Sequence, residues 1–254
     1  MRIALLQIAC GSKDKLANYR AAEAALQSAV ADHKATLCVL PEIWNSPYGT
    51  QHFGHFAELI PGGETCELMA GWAKRFGVTL IGGSIPERDE QGRLFNTSLT
   101  FSSDGALLAK HRKVHLFDID VPNGIRFKES ETLSPGDKLV TRFPVPGVGQ
   151  VGLGICYDMR FPELAMLAAA RGTANLLVYP AAFNMTTGPM HWHLLARARA
   201  VDNQVYVALC SPARDETPGG YVAYGLRDSV SFFFLTNCRS VQVTVCWWTL
   251  GVWW

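Results

Sequence analysis

Three short stretches of this chain carry side chains suited to acyl-transfer chemistry. The first is residues 151–163, VGLGICYDMRFPE, where an apolar run delivers Cys156 to a polar turn and a Pro-Glu pair opens a helical segment. A free thiol has a pKa of about 8.5, so a nucleophilic cysteine needs a base or a cation beside it. A cysteine at a strand end is more often plain packing. What separates Cys156 is the polar Tyr157-Asp158-Met159-Arg160 directly after the buried run, as a strand-to-turn nucleophile requires. Backbone N–H groups just past the sulfur would then form an oxyanion pocket.

The second stretch is LCVLPE, which ends at Glu42. A carboxylate at the C-terminal end of a buried strand sits where α/β proteins place their sites, and burial makes it a better base. The same residue taken alone also fits a surface cap. The third is the basic run Lys110, His111, Arg112, Lys113 and His115. Side chains alternate across a strand, so Lys113 and His115 share a face with His111, opposite Arg112. A solvated basic edge strand is the common outcome for such a run. The other outcome is one lysine turned inward beside Glu42 and Cys156, where its ammonium would stabilise developing negative charge.

Other constellations carry less. His191 and His193 flank Trp192 at the start of a helical segment and are candidate bases for a cysteine–histidine pair. No third ligand lies at suitable spacing for a metal, and both histidines read as structural. Gly82-Gly83 has neither a dinucleotide fingerprint nor a Walker pattern, so a nucleotide cofactor has no support.

The scaffold for these groups is legible in outline. The 254 residues are nearly half hydrophobic, enough for a large α/β core. Lys plus Arg is 23 and Asp plus Glu is 22, a balance that gives no electrostatic case for nucleic acid or an anionic membrane. Seven cysteines without a CxxC pair fit reduced thiols in a cytosolic compartment, with a mitochondrial location as the alternative. The opening MRIALLQIAC reads as a first strand rather than a signal peptide.

Strands are expected over residues 2–9, 36–40, 78–85, 94–101, 106–116, 139–145, 150–155, 176–179 and 205–209. Helices are expected over 14–34, 64–76, 161–171 and 191–202, with loops at 45–49 and from 117 to 136. In the first helix Leu16, Tyr19, Ala22, Leu26 and Val30 form the apolar face. Buried strands need layers above and below them, which points to one α/β domain with two sheets and flanking helices.

With Glu42, Lys113 and Cys156 in view, the chain resembles the nitrilase superfamily of carbon–nitrogen hydrolases. The likeness rests on LPEIWNSPYG, KHRKVHLFDID, GLGICYDMRFPEL, YPAAFNMTTGPMHW and RARAVDNQVYVALCSPARD in that order, and covers roughly residues 1 to 225. NSPYG, LFDIDVP, ESETLSPGD and FNMTTGPMHW are most similar to its omega-amidase branch. That branch hydrolyses the terminal amides of 2-oxoglutaramate and 2-oxosuccinamate. CYDMRFPEL is shared with the deaminated-glutathione amidases, a sibling alternative.

The resemblance implies a four-layer αββα sandwich, no cofactor, a small amide substrate and a homodimer. It makes Glu42 the proton acceptor, Lys113 the proton donor and cation, and Cys156 the nucleophile. Glu129, in RFKESETLSPG, would orient Lys113 or the substrate. Tyr48, Tyr157, Arg160, Phe183 and Asn184 are expected around the substrate. Arg160 either pairs with a substrate carboxylate or holds the turn by a salt bridge, and the second is favoured.

After Gly225 the likeness stops. Residues 226–254 have no charged residue beyond Arg239, and four of the seven tryptophans fall in the last eight positions. This divergent segment reads like a shifted-frame or spliced end, too short and interrupted to span a bilayer. It implies missing closing strands, an open sheet edge, and compromised stability and dimerisation, with a catalytically silent fold as the extreme case.

Overall fold

The computed structural model describes residues 1–122, 126–216 and 220–225. Its first sheet contains β1 (Ile3–Leu5), β2 (Leu37–Val39), β3 (Thr79–Ile81), β4 (Ile85–Arg88), β5 (Leu94–Phe101) and β6 (Leu107–Arg112). β1, β2 and β3 run parallel. β3 and β4 share one flank of the antiparallel β5, and β6 takes the other. A ribbon of β7 (Asp118–Asp120) and β8 (Arg126–Lys128) follows. The second sheet is β9 (Thr141–Val145), β10 (Gly149–Leu153), β11 (Leu176–Pro180) and β12 (Tyr206–Cys210), ordered β12-β11-β10-β9. The helices are α1 (Lys15–Ala31), α2 (Thr50–Phe56), α3 (Glu64–Phe76), α4 (Pro162–Ala169) and α5 (Thr187–Asn203).

Side-chain alternation along the strands builds four layers. Ile3, Leu5, Leu37 and Val39 face Val151, Leu153, Leu176, Val178 and Ala208, closing a core between the two sheets. The intervening Ala4, Leu6, Cys38 and Leu40 turn the other way, onto Leu26 of α1 and Met69 and Trp72 of α3. On the far side Leu177 and Tyr179 meet Leu164 and Ala168 of α4 and Trp192 and Ala196 of α5. The order is therefore helix, sheet, sheet, helix, the αββα sandwich expected above.

The differences from the expected elements have local causes. Residues 78–85 form two strands, because Gly82-Gly83-Ser84 turns the backbone between β3 and β4. α2 lies in a stretch, residues 50–63, for which no element was expected, and the β7–β8 ribbon lies where loop was expected. α2 is short and contains Gly54, and it holds by burying Phe53 and Phe56 rather than by propensity. In α1 the Asp14 carboxylate caps the helix by accepting from the Leu16 N–H at 3.0 Å, while the Leu16 side chain is 53% exposed. Ala25 and Ala29 take its place in the buried face. The expectations about closing strands and the divergent segment fall on residues 226–254, outside the described residues. Among the described residues no helix is long and apolar enough to cross a membrane.

The buried thiols make a prediction about alkaline stability. Burial pushes Cys38 up to about 12 and Cys210 well above an ordinary thiol. Both folded and unfolded chains hold these protons below pH ~8.5, and above it only the unfolded chain loses them. Stability then falls by about 1.4 kcal/mol per pH unit for each thiol until the folded pKa is passed. Melting temperature should drop steadily as pH is raised beyond about 8.5, and less steeply in Cys38→Ala. A profile as steep in the variant as in the parent would contradict this account.

Candidate active site

Four connections at the ends of strands converge on one buried point. Glu42 lies three residues beyond β2. Its segment is closed by the Ser84 N–H, which donates to the Pro41 carbonyl at 3.1 Å. Gly83 permits that approach: it sits at φ 60°, and a Cβ there would lie 2.0 Å from the Pro41 oxygen. Lys113 directly follows β6. Its N–H donates to the Asn96 carbonyl and its own carbonyl accepts from the Gly136 N–H, each at 2.8 Å. Glu129 opens a short 3-10 turn after β8, and Cys156 opens another, Cys156–Arg160, after β10.

Cys156 has φ 44°, in the left-handed region. For a non-glycine residue this costs about 1–2 kcal/mol, held here by the surrounding bonds. The main restraint is the Asp158 carboxylate, which accepts from the Ile155 N–H and the His115 N–H, each at 2.9 Å. It also contacts His115 Nδ1 at 2.8 Å and His111 Nε2 at 3.3 Å. His111 and His115 stand two residues either side of Lys113, so one carboxylate ties the lysine segment to the cysteine turn. Burial opposes ionisation of Asp158, but hydrogen bonds from the two histidines outweigh it and hold its carboxyl well below the usual range.

Glu42, Lys113 and Glu129 are all 1% exposed or less, and Cys156 is 7% exposed. Lys113 Nζ donates to Glu42 Oε1 at 3.1 Å and to Glu129 Oε1 at 2.9 Å. An ammonium has three N–H donors, so among the described residues one remains for a ligand. Glu42 Oε1 also accepts from Asn96 Nδ2 at 2.9 Å, and Oε2 from the Ala182 N–H at 2.9 Å. Glu129 Oε2 accepts from the Phe117 N–H at 2.8 Å, and Tyr48 Oη donates to its Oε1 at 3.4 Å.

The electrostatics follow from this packing. Burial alone would lower the Lys113 pKa, but the Glu129 and Glu42 charges outweigh it, and the amine stands well above its ordinary value. Burial, helped by the Glu42 charge, keeps the Glu129 carboxyl above its ordinary value against the pull of Lys113. Burial and then Glu42 raise the Cys156 thiol well above an ordinary cysteine, with Lys113 and the Ala182 backbone pulling the other way. The resting sulfur is therefore a thiol, not a thiolate, lying against the Glu42 carboxylate. A base beside the sulfur, a cation beside the base and a vacant ammonium donor together suit attack on an acyl carbon.

The cleft in front of Cys156 is lined by Tyr48, Phe117, Tyr157, Arg160, Phe183 and Asn184, with Ala182, Thr187 and Tyr221 completing it. Arg160 departs from expectation. Its guanidinium has no carboxylate partner among the described residues. It lies over the Tyr157 ring at 5.5 Å and the Phe183 ring at 5.1 Å. The turn needs no salt bridge from it, because Arg199 donates to the Met159 carbonyl at 2.9 Å and the Arg160 carbonyl at 3.2 Å.

Sequence reasoning missed Asn96, Asp158, Ala182 and Tyr221. The signal for Asn96 is a polar residue inside the otherwise buried LFNTSLTF of β5. Tyr221, whose hydroxyl donates to the Ala182 carbonyl and whose ring sits 4.3 Å from Tyr48, carries no such signal. Ala182 acts through its backbone, which no residue type announces.

Residues 2–229 match the family described as carbon-nitrogen hydrolase. Omega-amidase NIT3 of Saccharomyces cerevisiae is 52% identical over 230 residues, 89% of this chain and 78% of that protein. Omega-amidase NIT2-B of Xenopus laevis is 60% identical over 201 residues, 79% of this chain and 71% of that protein. The crystal structure of Saccharomyces cerevisiae Nit3, a member of branch 10 of the nitrilase superfamily, superposes with a TM-score of 0.80 at 47% identity, over 89% of this chain and 80% of that one. An amidase from Nesterenkonia sp. AN1, solved with acrylamide added at its active site cysteine, gives a TM-score of 0.72 at 28% identity, over 88% of this chain and 82% of that one.

Proposed function

This chain belongs to the carbon–nitrogen hydrolase family, and we propose that it is an omega-amidase, hydrolysing the terminal amide of small 2-oxo dicarboxylic acid monoamides to the dicarboxylate and ammonia. The observation that carries the reading is the meeting of Glu42, Lys113 and Glu129 around Cys156, in a chain so similar to omega-amidases.

In this reading Glu42 takes the thiol proton as the sulfur attacks the amide carbon. The carbonyl oxygen, now negative, is met by the vacant Lys113 N–H and by the Tyr157 N–H. That N–H is the second of the 3-10 turn, where the first backbone donors lack partners within the turn. Glu42 passes its proton to the amide nitrogen, the C–N bond breaks, and ammonia leaves a Cys156 thioester. Water then attacks the thioester carbon, Glu42 accepts its proton, and the C–S bond breaks to release the acid and return the proton to sulfur. Glu129 holds Lys113 in place throughout.

Arg160 supplies the charge for the substrate's distal carboxylate, with Tyr157 and Phe183 as walls. Asn184 and Tyr48 shape the ends of the cleft. The free thiols among the described residues support a reducing compartment, the cytoplasm in this reading with the mitochondrion as alternative.

Ammonia release from 2-oxoglutaramate tests the assignment. Preferential cleavage of deaminated glutathione would move it to the sibling amidase. Absence of turnover, with Cys156 inert to iodoacetamide, would mark a silent fold. Arg160→Leu is expected to raise KM for 2-oxoglutaramate roughly 30- to 100-fold with kcat little changed, the loss of a charge-assisted pair worth about 2–3 kcal/mol. An unchanged KM would remove Arg160 from the substrate.

A homodimer belongs to the same proposal. Packed side by side, α4 and α5 expose Met166, Leu167, Met190, Leu194 and Val201, an apolar face that a second copy would cover. Leu194→Asp is expected to shift a dimer to monomers in analytical ultracentrifugation. A sedimentation profile unaltered by the charge would place the interface elsewhere.

A further inference from the structure

We propose that His191 is a positioning residue for Arg160: it fixes the guanidinium in the Cys156 cleft without neutralising it, so that the positive charge stays available to a substrate carboxylate. The proposal rests on the reading of Arg160 given above and extends it to a residue outside the cysteine machinery.

The geometry is specific. Arg160 leaves the turn that carries Cys156 and reaches along the cleft between the Tyr157 and Phe183 rings. Its side chain has one polar partner among the described residues, His191 Nδ1 at 3.1 Å from Nη1. A guanidinium only donates, so Nδ1 must be the acceptor and the imidazole proton must sit on Nε2. One N–H of the fork is thereby occupied, and the others are left for the paired oxygens of a carboxylate.

The scaffold sets the two residues against each other. His191 stands on α5, and the same helix sends Arg199 to the Met159 and Arg160 carbonyls. The next residue, Trp192, packs edge-on against Phe183 at 5.3 Å. At the helix start the Asn184 side chain accepts from the Thr186 and Thr187 N–H groups at 3.0 and 2.8 Å. Helix α5 therefore holds the backbone of Arg160, one ring beneath its guanidinium and the acceptor at its edge. A long arginine loses much rotamer freedom when it binds, and prior anchoring lowers that cost. An acidic residue at position 191 would anchor Arg160 as well but cancel its charge and compete with the substrate. A neutral acceptor does the first without the second.

This distinguishes the proposal from simple packing, which would rank substitutions by size alone. The readout is the affinity of the purified protein for 2-oxoglutarate, the dicarboxylate product, by titration calorimetry. It is paired with kcat/KM for 2-oxoglutaramate and for the uncharged pentanamide. His191→Gln keeps a neutral acceptor and is expected within about threefold of the parent in affinity. His191→Leu, which removes the acceptor, is expected to bind about tenfold more weakly. His191→Glu is expected to bind on the order of a hundredfold more weakly, because Arg160 is then paired within the protein. Pentanamide turnover should be nearly the same across the series.

Arg160→Leu serves as the control. If it weakens 2-oxoglutarate binding while the three His191 variants bind alike, the positioning role is wrong and the Arg160 reading stands. If Arg160→Leu binds 2-oxoglutarate as well as the parent, both fail. Equal losses on pentanamide and on the dicarboxylate would also overturn the proposal, since they would mean a collapsed cleft.

Discussion

Cys156→Ala is expected to abolish ammonia release, a fall in kcat on the order of 10⁶-fold, as for loss of the nucleophile in other covalent hydrolases. The size follows from what remains. Glu42 and Lys113 would still stand beside the cleft, yet water in place of sulfur has no fixed position against the amide carbon. The two-step path through a thioester is then closed.

The fold should survive the substitution. Glu42 keeps its bonds from Lys113, Asn96 and the Ala182 N–H. Asp158 keeps its hold on Ile155 and His115. Alanine retains the φ of 44° and its strain, so stability should change by no more than about 1–2 kcal/mol. A thermal melt beside an ammonia assay separates the two effects. Residual turnover above about one per cent of the parent, in a folded variant, would remove the sulfur from the chemistry. Intact-mass spectrometry adds a second view: the parent should carry a transient acyl adduct on Cys156 during turnover, and the alanine variant none.

Legibility in the sequence tracks how local the cause is. Alternation along 110–115 placed His111 and Lys113 on one face, and the structure buries both while Arg112 takes the opposite face, onto Glu87 at 2.6 Å. The ends of LCVLP and VGLGI were legible because continuous apolar runs give way to polar text at one residue. The layers were legible because both sheets are buried on both sides. α2 and the β7–β8 ribbon were not, because tertiary contacts rather than periodicity hold them. Phe53 is buried beneath Tyr48, and Phe127 of β8 stacks on that tyrosine at 6.3 Å.

That the Cys156 turn needs no salt bridge from Arg160 escaped for a related reason. Whether a turn needs a salt bridge depends on what else grips it. Asp158 lies in the same turn, but Arg199 comes from a helix some forty residues later. Ala182 could not be found by residue type, because its contribution is a backbone N–H presented at the end of β11.

Lys113→Met should cost both activity and stability, and a second substitution should return only the stability. Loss of a cationic oxyanion donor typically lowers kcat by about 10²–10³-fold. Loss of the ammonium bridging two buried carboxylates leaves Glu42 and Glu129 facing each other in a buried site, where breaking a buried ion pair costs about 3–5 kcal/mol. Glu129 has the easier escape. Its carboxyl is already held above the ordinary value by burial and by Glu42, and removal of the lysine takes away the charge that opposed this.

The sign of the pH effect follows. Below about pH 4.3 Glu129 is protonated in both states and costs nothing. As pH rises, the unfolded chain ionises while the folded variant keeps its proton, so stability is lost between that point and the raised folded value. Relative to the parent, Lys113→Met should therefore melt at progressively lower temperature from pH 5 to pH 8. Glu129→Gln placed on the Lys113→Met background should recover much of the deficit at pH 8 by removing the titrating group. It should leave kcat at the level of the single variant, because nothing in it restores a cation to the oxyanion. If the double variant melts no higher than the single one, the paired carboxylates are not the source of the instability. If Lys113→Met retains a tenth or more of the parental kcat, the ammonium does not stabilise the oxyanion as described.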